Sequence, residues 1–138
     1  MKRAAVEPKW LSKRMVLAIH DEAVEMFGGT AGIRDDGLLE SALSRPQNRF
    51  AYENEATLFD LAASLCHGIC KNHPFLDGNK RTALLSARAF LFLNGQAFEP
   101  REIDEVENMV AVASGGMDET GIAAWFKQFS TPIKPSRK

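Results

Sequence analysis

The chain has 138 residues, 45% of them hydrophobic and 25% charged, with a formal net charge of −1. These values are typical of one compact globular domain, and they exclude the broad basic field that nucleic-acid or membrane-surface binding requires. No apolar run approaches the roughly 20 residues of a membrane span, and no signal-peptide core follows the basic Met1-Lys2-Arg3. We therefore expect a cytoplasmic protein, one domain over residues 1–138, with frayed ends at about 1–9 and 131–138.

The first two helices are predicted from caps and apolar spacing. Ser12 is a favoured N-cap residue, and apolar side chains recur at helical spacing until Gly28-Gly29 ends the first helix. Asp35 opens a short second helix, which is predicted to end before Pro46 because the residue preceding a proline avoids helical geometry. The polar stretch 47–55 is then a loop or a small hairpin, a flap ahead of the helices that follow.

Two strongly apolar helices come next, and we expect them to be central. They are predicted over Ala56 to Asn72 and Gly78 to Asn94, and apolar residues cover nearly their whole circumference. A fifth helix runs from Pro100 to Ser114, and a sixth begins at Asp118 or Thr120. No stretch alternates convincingly as a strand. The predicted fold is therefore an all-α bundle of about six helices.

The most informative stretch lies between the two central helices, from His73 to Arg81. Gly78 permits a positive φ, and the helix that opens after it presents unpaired N–H groups at the positive end of its dipole, where an anion is stabilised. Histidine can accept a proton at cellular pH, a carboxylate can hold Mg²⁺, and Lys80 and Arg81 can neutralise phosphate charge. Residue types alone leave two interpretations open: phosphoryl or nucleotidyl transfer, or a structural turn with solvated charges.

Cysteine and histidine spacing raises a separate metal hypothesis. Cys66, Cys70 and His73 fall on one helix face, with His67 nearby, as a zinc site could require. A single helical row of ligands followed by Pro74 is, however, a poor zinc cage. Two buried, reduced cysteines are the favoured interpretation.

The stretch from His73 to Arg81 resembles the signature of the Fic/Doc family, His-x-Phe-x-Asp/Glu followed by Gly- or Ala-Asn and an Arg. Its Asn-Lys-Arg-Thr-Ala ending is most similar to the Doc (death-on-curing) branch. Two flanking stretches agree, one around Ile19-His20-Asp21 and one from Gly37 to Pro46. The similarity extends from about Trp10 to Phe129.

The resemblance implies a role for each matched residue. His73 would be the general base on a target hydroxyl, Asp77 the magnesium ligand and Phe75 a buried anchor of the loop. The phosphates of ATP would be bound by the remaining four residues, Gly78, Asn79, Lys80 and Arg81. The implied cofactor is Mg²⁺, and ATP is the implied substrate.

Two departures from the AMP-transferring Fic enzymes bear on the reaction. Lys80 replaces a small glycine, and Leu84 replaces a second arginine. The Doc branch shares this pattern, so the resemblance implies transfer of the γ-phosphate of ATP to a threonine or serine of a translation factor, elongation factor Tu by analogy. AMP transfer is the alternative, and a catalytically silent Fic-like binding module is the alternative of another class.

A partner is also implied. The chain contains no match to the Ser/Thr-x-x-x-Glu-Gly/Asn motif that restrains many Fic proteins internally. Restraint is then expected from a separate antitoxin chain, as in type II toxin–antitoxin systems. No nucleic-acid or membrane partner is expected.

Overall fold

The computed structural model describes residues 6–134, and it is a bundle of six helices with one very small sheet. The elements in chain order are α1 Lys13–Phe27, α2 Asp36–Tyr52, α3 Leu58–Asn72, α4 Asn79–Leu93, β1 Gln96–Phe98, α5 Glu102–Ser114, α6 Glu119–Gln128 and β2 Ser130–Pro132. The predicted helical fold class and the number of helices are confirmed. No helix within residues 6–134 combines the length and apolar character of a membrane span.

Helix α3 is the centre of the bundle, because it packs against α2, α4, α5 and α6. Nine of its fifteen residues are buried, as the apolar circumference of this segment predicts. Helix α4 is its main partner and also contacts α1. The C-terminal end of α3 and the N-terminal end of α4 are joined by residues 73–78, so the stretch singled out in the sequence lies between the two most buried helices.

The N-terminus of α3 is fixed by a reciprocal cap. Asp60 N donates to Thr57 Oγ1 at 3.1 Å, and Thr57 N donates to Asp60 Oδ2 at 2.8 Å. We expect Thr57→Ala to lower the free energy of unfolding by about 1 kcal/mol, since one helix N–H loses its acceptor. Urea unfolding measures this, with the exposed helical Thr120→Ala as control. Equal stability of the two variants would contradict a stabilising cap.

The predicted end of α2 before Pro46 is wrong. The helix continues through Pro46 to Tyr52, and the predicted loop or hairpin at residues 47–52 is helical. An internal proline removes one helix hydrogen bond at a cost of about 3 kcal/mol. Here the proline is buried against the core, and the turn after it is held by Arg49, which bonds Glu119 of α6 and the Asp60 carbonyl, both at 3.1 Å. Tertiary packing therefore overrides the local preference.

Smaller differences concern the sheet and the chain ends. Strand β1 pairs antiparallel with β2, with Ala97 opposite Thr131; each strand has three residues, too few to show alternation in the sequence. The extent of fraying stays a prediction, since residues 1–5 and 135–138 lie outside the described part. Within it, Lys9 N donates to Asn94 Oδ1 at 2.8 Å, and Ile133 N donates to the Gly95 carbonyl at 2.9 Å.

Candidate active site

The loop between α3 and α4 begins at His73, which ends α3 in a left-handed conformation with φ of 54°. The carbonyl groups at the end of a helix lack partners and carry the negative end of its dipole, so a nearby cation stabilises them. Arg34 supplies it: its guanidinium donates to the His73 carbonyl at 2.7 Å and to the Asn72 carbonyl at 3.0 Å. The main chain at His73 is thus fixed by a residue from the segment between α1 and α2, while the imidazole is exposed.

Asn79 holds the loop closed from the inside. Its side chain is buried, accepts from Phe75 N at 2.9 Å and donates to the Phe75 carbonyl at 3.0 Å. Its Nδ2 also lies 3.1 Å from His73 Nδ1, so the amide orients the imidazole. The side chain of Asn79 therefore binds the loop, which leaves only its backbone N–H for the phosphate role predicted from the resemblance.

We expect Asn79→Asp to lower the free energy of unfolding by about 1–3 kcal/mol. The two side chains have the same shape, but a carboxylate cannot donate to His73 or to the Phe75 carbonyl, and it places negative charge beside that carbonyl. Urea unfolding at neutral pH measures the loss. Asn48→Asp is the matched control, because Asn48 is exposed on α2. If both variants were as stable as the wild type, the three contacts of Asn79 would not hold the loop.

Phe75 is fully buried under α1. Its ring stacks on His20, with ring centroids 3.8 Å apart and planes inclined by 8°. Its main chain forms an isolated antiparallel bridge with Ile33. The same segment contributes two more contacts, because Leu76 N donates to the Gly32 carbonyl and Arg34 N to the Pro74 carbonyl. The stretch between α1 and α2, rather than residues 47–55, is the one that runs beside the loop.

The carboxylate of Asp77 is exposed and oriented by main-chain donors. Thr30 N donates to Oδ2 at 3.2 Å, and Gly78 N donates to Oδ1 at 3.0 Å. Gly29 makes the close approach possible: its φ is +115°, and a Cβ there would lie 3.0 Å from Asp77 Oδ2. Because a carboxylate oxygen accepts more than one hydrogen bond or ligand, both oxygens keep capacity for a further partner.

Helix α4 opens directly after this carboxylate. Gly78 is its N-cap with φ of 77°, and the first intrahelical bond runs from Thr82 N to the Gly78 carbonyl. The N–H groups of residues 79–81 precede that bond and lack intrahelical acceptors. The side chains of Lys80 and Arg81 are exposed here, and the Arg81 guanidinium rests over the Phe27 ring at 3.7 Å. The first turn of α4 thus carries unpaired donors and two cationic side chains at the helix end where an anion is stabilised.

The residues around Asp77 fit a magnesium ion that is shared between the protein and a bound nucleotide. Mg²⁺ is commonly held by one or two carboxylates together with substrate phosphates and water. A single exposed, oriented carboxylate beside a helix opening of the kind that stabilises anions matches that donor set. Among the described residues, no three His, Cys, Asp or Glu side chains come together as an all-protein metal cage. Asp77 would therefore hold the ion only together with the nucleotide.

The zinc hypothesis gains no support from the cysteines. Cys66 and Cys70 are both free and buried, as predicted for small core residues. Burial raises the pKa of each thiol, so neither is inclined to form the thiolate that binds zinc. The Cys66 Sγ instead lies 3.9 Å from the sulfur of Met109.

Three supporting residues were not identified from the sequence. The sequence indicates Gly29 as a helix stop and, with Gly28, as part of the family resemblance, and it indicates no role for Thr30 or Arg34. Their contributions are main-chain contacts and helix capping across more than 35 positions. No local pattern signals such contacts.

Comparisons with known proteins place the chain in a family. Residues 10–91 match the sequence profile of the Fic/DOC family. The chain is 36% identical over 114 residues to "Protein kinase doc" of Escherichia phage P1, covering 82% of this chain and 89% of that protein. It is 38% identical over 107 residues to "Toxin Doc" of Mycolicibacterium smegmatis (strain ATCC 700084 / mc(2)155), covering 75% of this chain and 82% of that protein. The segment matched by the family profile contains α3, the whole loop and all of α4 except its last two residues. The chain belongs to the Doc branch of the Fic/Doc family.

Proposed function

We propose that this protein is a toxin of the Doc type, which transfers the γ-phosphate of ATP to a threonine or serine hydroxyl of a translation factor and so arrests translation. The proposal is supported by the shared names of its relatives and by the geometry of one loop. That loop places an exposed imidazole, an oriented carboxylate and a helix opening side by side. Elongation factor Tu is the proposed target by analogy within the branch, and the cytoplasm is the proposed compartment because the target resides there.

The observation that favours phosphate over AMP transfer concerns α4. Lys80 is exposed in its first turn, where AMP-transferring members have a small glycine, so its charge is available to the phosphates. Leu84, which stands where those enzymes have a second arginine, is only 6% exposed and belongs to the core. The cations of α4 near the site are therefore Lys80 and Arg81 in its first turn, and one turn later, at Leu84, there is no cation.

In the proposed reaction the hydroxyl of the target attacks the γ-phosphorus, the bond to the β-phosphate oxygen breaks, and ADP leaves. His73 takes the hydroxyl proton. In the tautomer that accepts from Asn79, the lone pair of His73 is on Nδ1 and is occupied by that amide. For Nδ1 to take the proton, the hydroxyl must displace the amide or the ring must turn. Lys80, Arg81 and the N–H groups that open α4 stabilise phosphate charge. Asp77 would hold Mg²⁺ together with the nucleotide, and the ion would supply further neutralisation of the phosphate charge.

A labelling experiment tests the reaction. The purified protein is incubated with elongation factor Tu, Mg²⁺ and ATP labelled at either the γ or the α phosphorus. We expect label on the factor from γ-labelled ATP only, and none with the His73→Ala protein. Label from the α position would show AMP transfer. Binding of ATP without transfer of either label would show a silent binding module.

We further propose a cognate antitoxin as partner. The relative from Mycolicibacterium smegmatis is named a toxin, and this chain has no internal Ser/Thr-x-x-x-Glu restraint. An unrestrained transferase acting on a translation factor would arrest its own host. Co-expression with the product of a short neighbouring reading frame should restore growth, and the two proteins should then copurify.

A further inference from the structure

His20 of α1 makes an unusual pair of contacts for a core residue. Its ring is 1% exposed and stacks face to face on Phe75 at 3.8 Å. Its Nε2 lies 2.8 Å from the main-chain oxygen of Asp77. Since a carbonyl oxygen only accepts, Nε2 must carry the hydrogen and donate it. One side chain of α1 thus contacts two residues of the loop, one through its flat face and the other through a hydrogen bond.

The peptide group that His20 holds is the one that sets the site. The Asp77 carbonyl and the Gly78 N–H belong to the same planar unit. The carbonyl is fixed by His20 at 2.8 Å, and the N–H is fixed by Asp77 Oδ1 at 3.0 Å. Rotation of this plane would move the carboxylate and would also change the direction in which Gly78 starts α4. Its orientation therefore controls both the carboxylate and the helix opening.

From this geometry we infer that His20 is a positioning residue of the active site, which places the Asp77 carboxylate and the start of α4 by holding the peptide between Asp77 and Gly78. The positioning role in catalysis rests on the proposed function; the ordering of the loop does not. A purely apolar residue could fill the space beneath Phe75 but could not hold the carbonyl. The other ring nitrogen, Nδ1, lies 3.9 Å from Asp21 Oδ1, which is beyond hydrogen-bond distance. The hydrogen bond that the His20 ring makes is therefore the one to the loop, at the Asp77 carbonyl.

Three variants separate the hydrogen bond from the packing. His20→Phe keeps a flat ring for Phe75 but has no donor. His20→Gln keeps an N–H at nearly the position of Nε2 but loses the ring. Val16→Ala removes buried apolar atoms one turn earlier on α1 and is the control for a general loss of stability. If His20→Phe does not fold, His20→Asn replaces it, because its amide is too short to reach the carbonyl.

The first measurement is amide hydrogen exchange in the protein without ATP. The reporters are the N–H groups of Thr30 and Gly78, which donate to the Asp77 carboxylate. We expect His20→Phe to speed their exchange about tenfold, the factor carried by one hydrogen bond of ordinary strength. His20→Gln should remain close to the wild type. Exchange in His20→Phe no faster than in Val16→Ala would overturn the inference.

The second measurement uses the labelling assay at varied Mg²⁺. We expect His20→Phe to raise the half-saturating Mg²⁺ concentration and to lower kcat by about tenfold, with KM for the protein target unchanged. His20→Gln should restore most of the activity. A change in His20→Phe confined to KM would overturn the positioning role. If the wild type transfers no label, the proposed function fails, and the exchange experiment still decides whether His20 orders the loop.

Discussion

His73→Ala is expected to abolish growth arrest on expression and to lower the rate of phosphate transfer by about 10²–10⁴-fold, the range that a positioned general base contributes. The imidazole is exposed at the end of α3 and oriented by the Asn79 amide at 3.1 Å. Alanine leaves the hydroxyl nucleophile without a proton acceptor but does not alter the helix opening that is proposed to bind ATP. The transfer rate at saturating ATP, measured with γ-labelled nucleotide, checks the expectation.

The matched control is His67→Ala on the same helix. His67 is partly buried beside Arg45 and Glu119, and its burial lowers the pKa of the imidazole. Losing that side chain should affect stability without touching the loop. An equal loss of activity in both variants would point to misfolding rather than to lost catalysis. Growth arrest that survived His73→Ala would show that this residue does not carry the proton.

The helices themselves follow from local chemistry. Ser12, Asp35 and Asp118 each accept a hydrogen bond from the main-chain N–H three residues later, as their positions before apolar runs predict. The circumferential burial of α3 is equally local, because it follows from which residue types occur at each position. Such features depend on a few neighbouring residues, which is why the fold class could be predicted from the sequence.

Pro46 shows where that reasoning stops. The local rule ends the helix before it, yet the helix continues because α3 and α6 hold the turn that follows through Arg49 and Glu119. Glu119 lies 70 positions from Arg49 in the sequence. Propensity cannot anticipate a contact between such distant residues. The two short strands escaped prediction for the same reason, since each exists only because the other is beside it.

The candidate site also has a part that the sequence predicts and a part that it does not. The chemical groups of the loop were identified from residue types and spacing, and their roles remain predictions. What the sequence did not indicate is how they are held: Asn79 turns inward, and Arg34 and Thr30 reach the loop from the segment before α2. An asparagine in such a motif suggests a side chain that binds phosphate. Only the burial of Asn79 and its hydrogen bonds show that this side chain is engaged with Phe75 and His73.

Asp77→Asn is expected to lower the transfer rate by about 10²-fold or more and to raise the Mg²⁺ concentration needed for half-maximal rate. Asparagine keeps the shape of the side chain and one acceptor oxygen for Thr30 N or Gly78 N, so the loop should stay folded. What it removes is the negative charge. A neutral amide is a weaker ligand for a hard cation, and within residues 6–134 no cluster of three His, Cys, Asp or Glu side chains could hold the ion instead.

Asp21→Asn makes the same change in charge on an exposed residue of α1 and serves as the control. Its Mg²⁺ dependence should equal that of the wild type. If Asp77→Asn were slow but reached half-maximal rate at the wild-type Mg²⁺ concentration, Asp77 would act on the loop and not on the ion. If excess Mg²⁺ instead restored much of the rate, the lost affinity would account for the defect. The carboxylate would then serve to hold the ion against the phosphates, as its orientation by two main-chain N–H groups suggests.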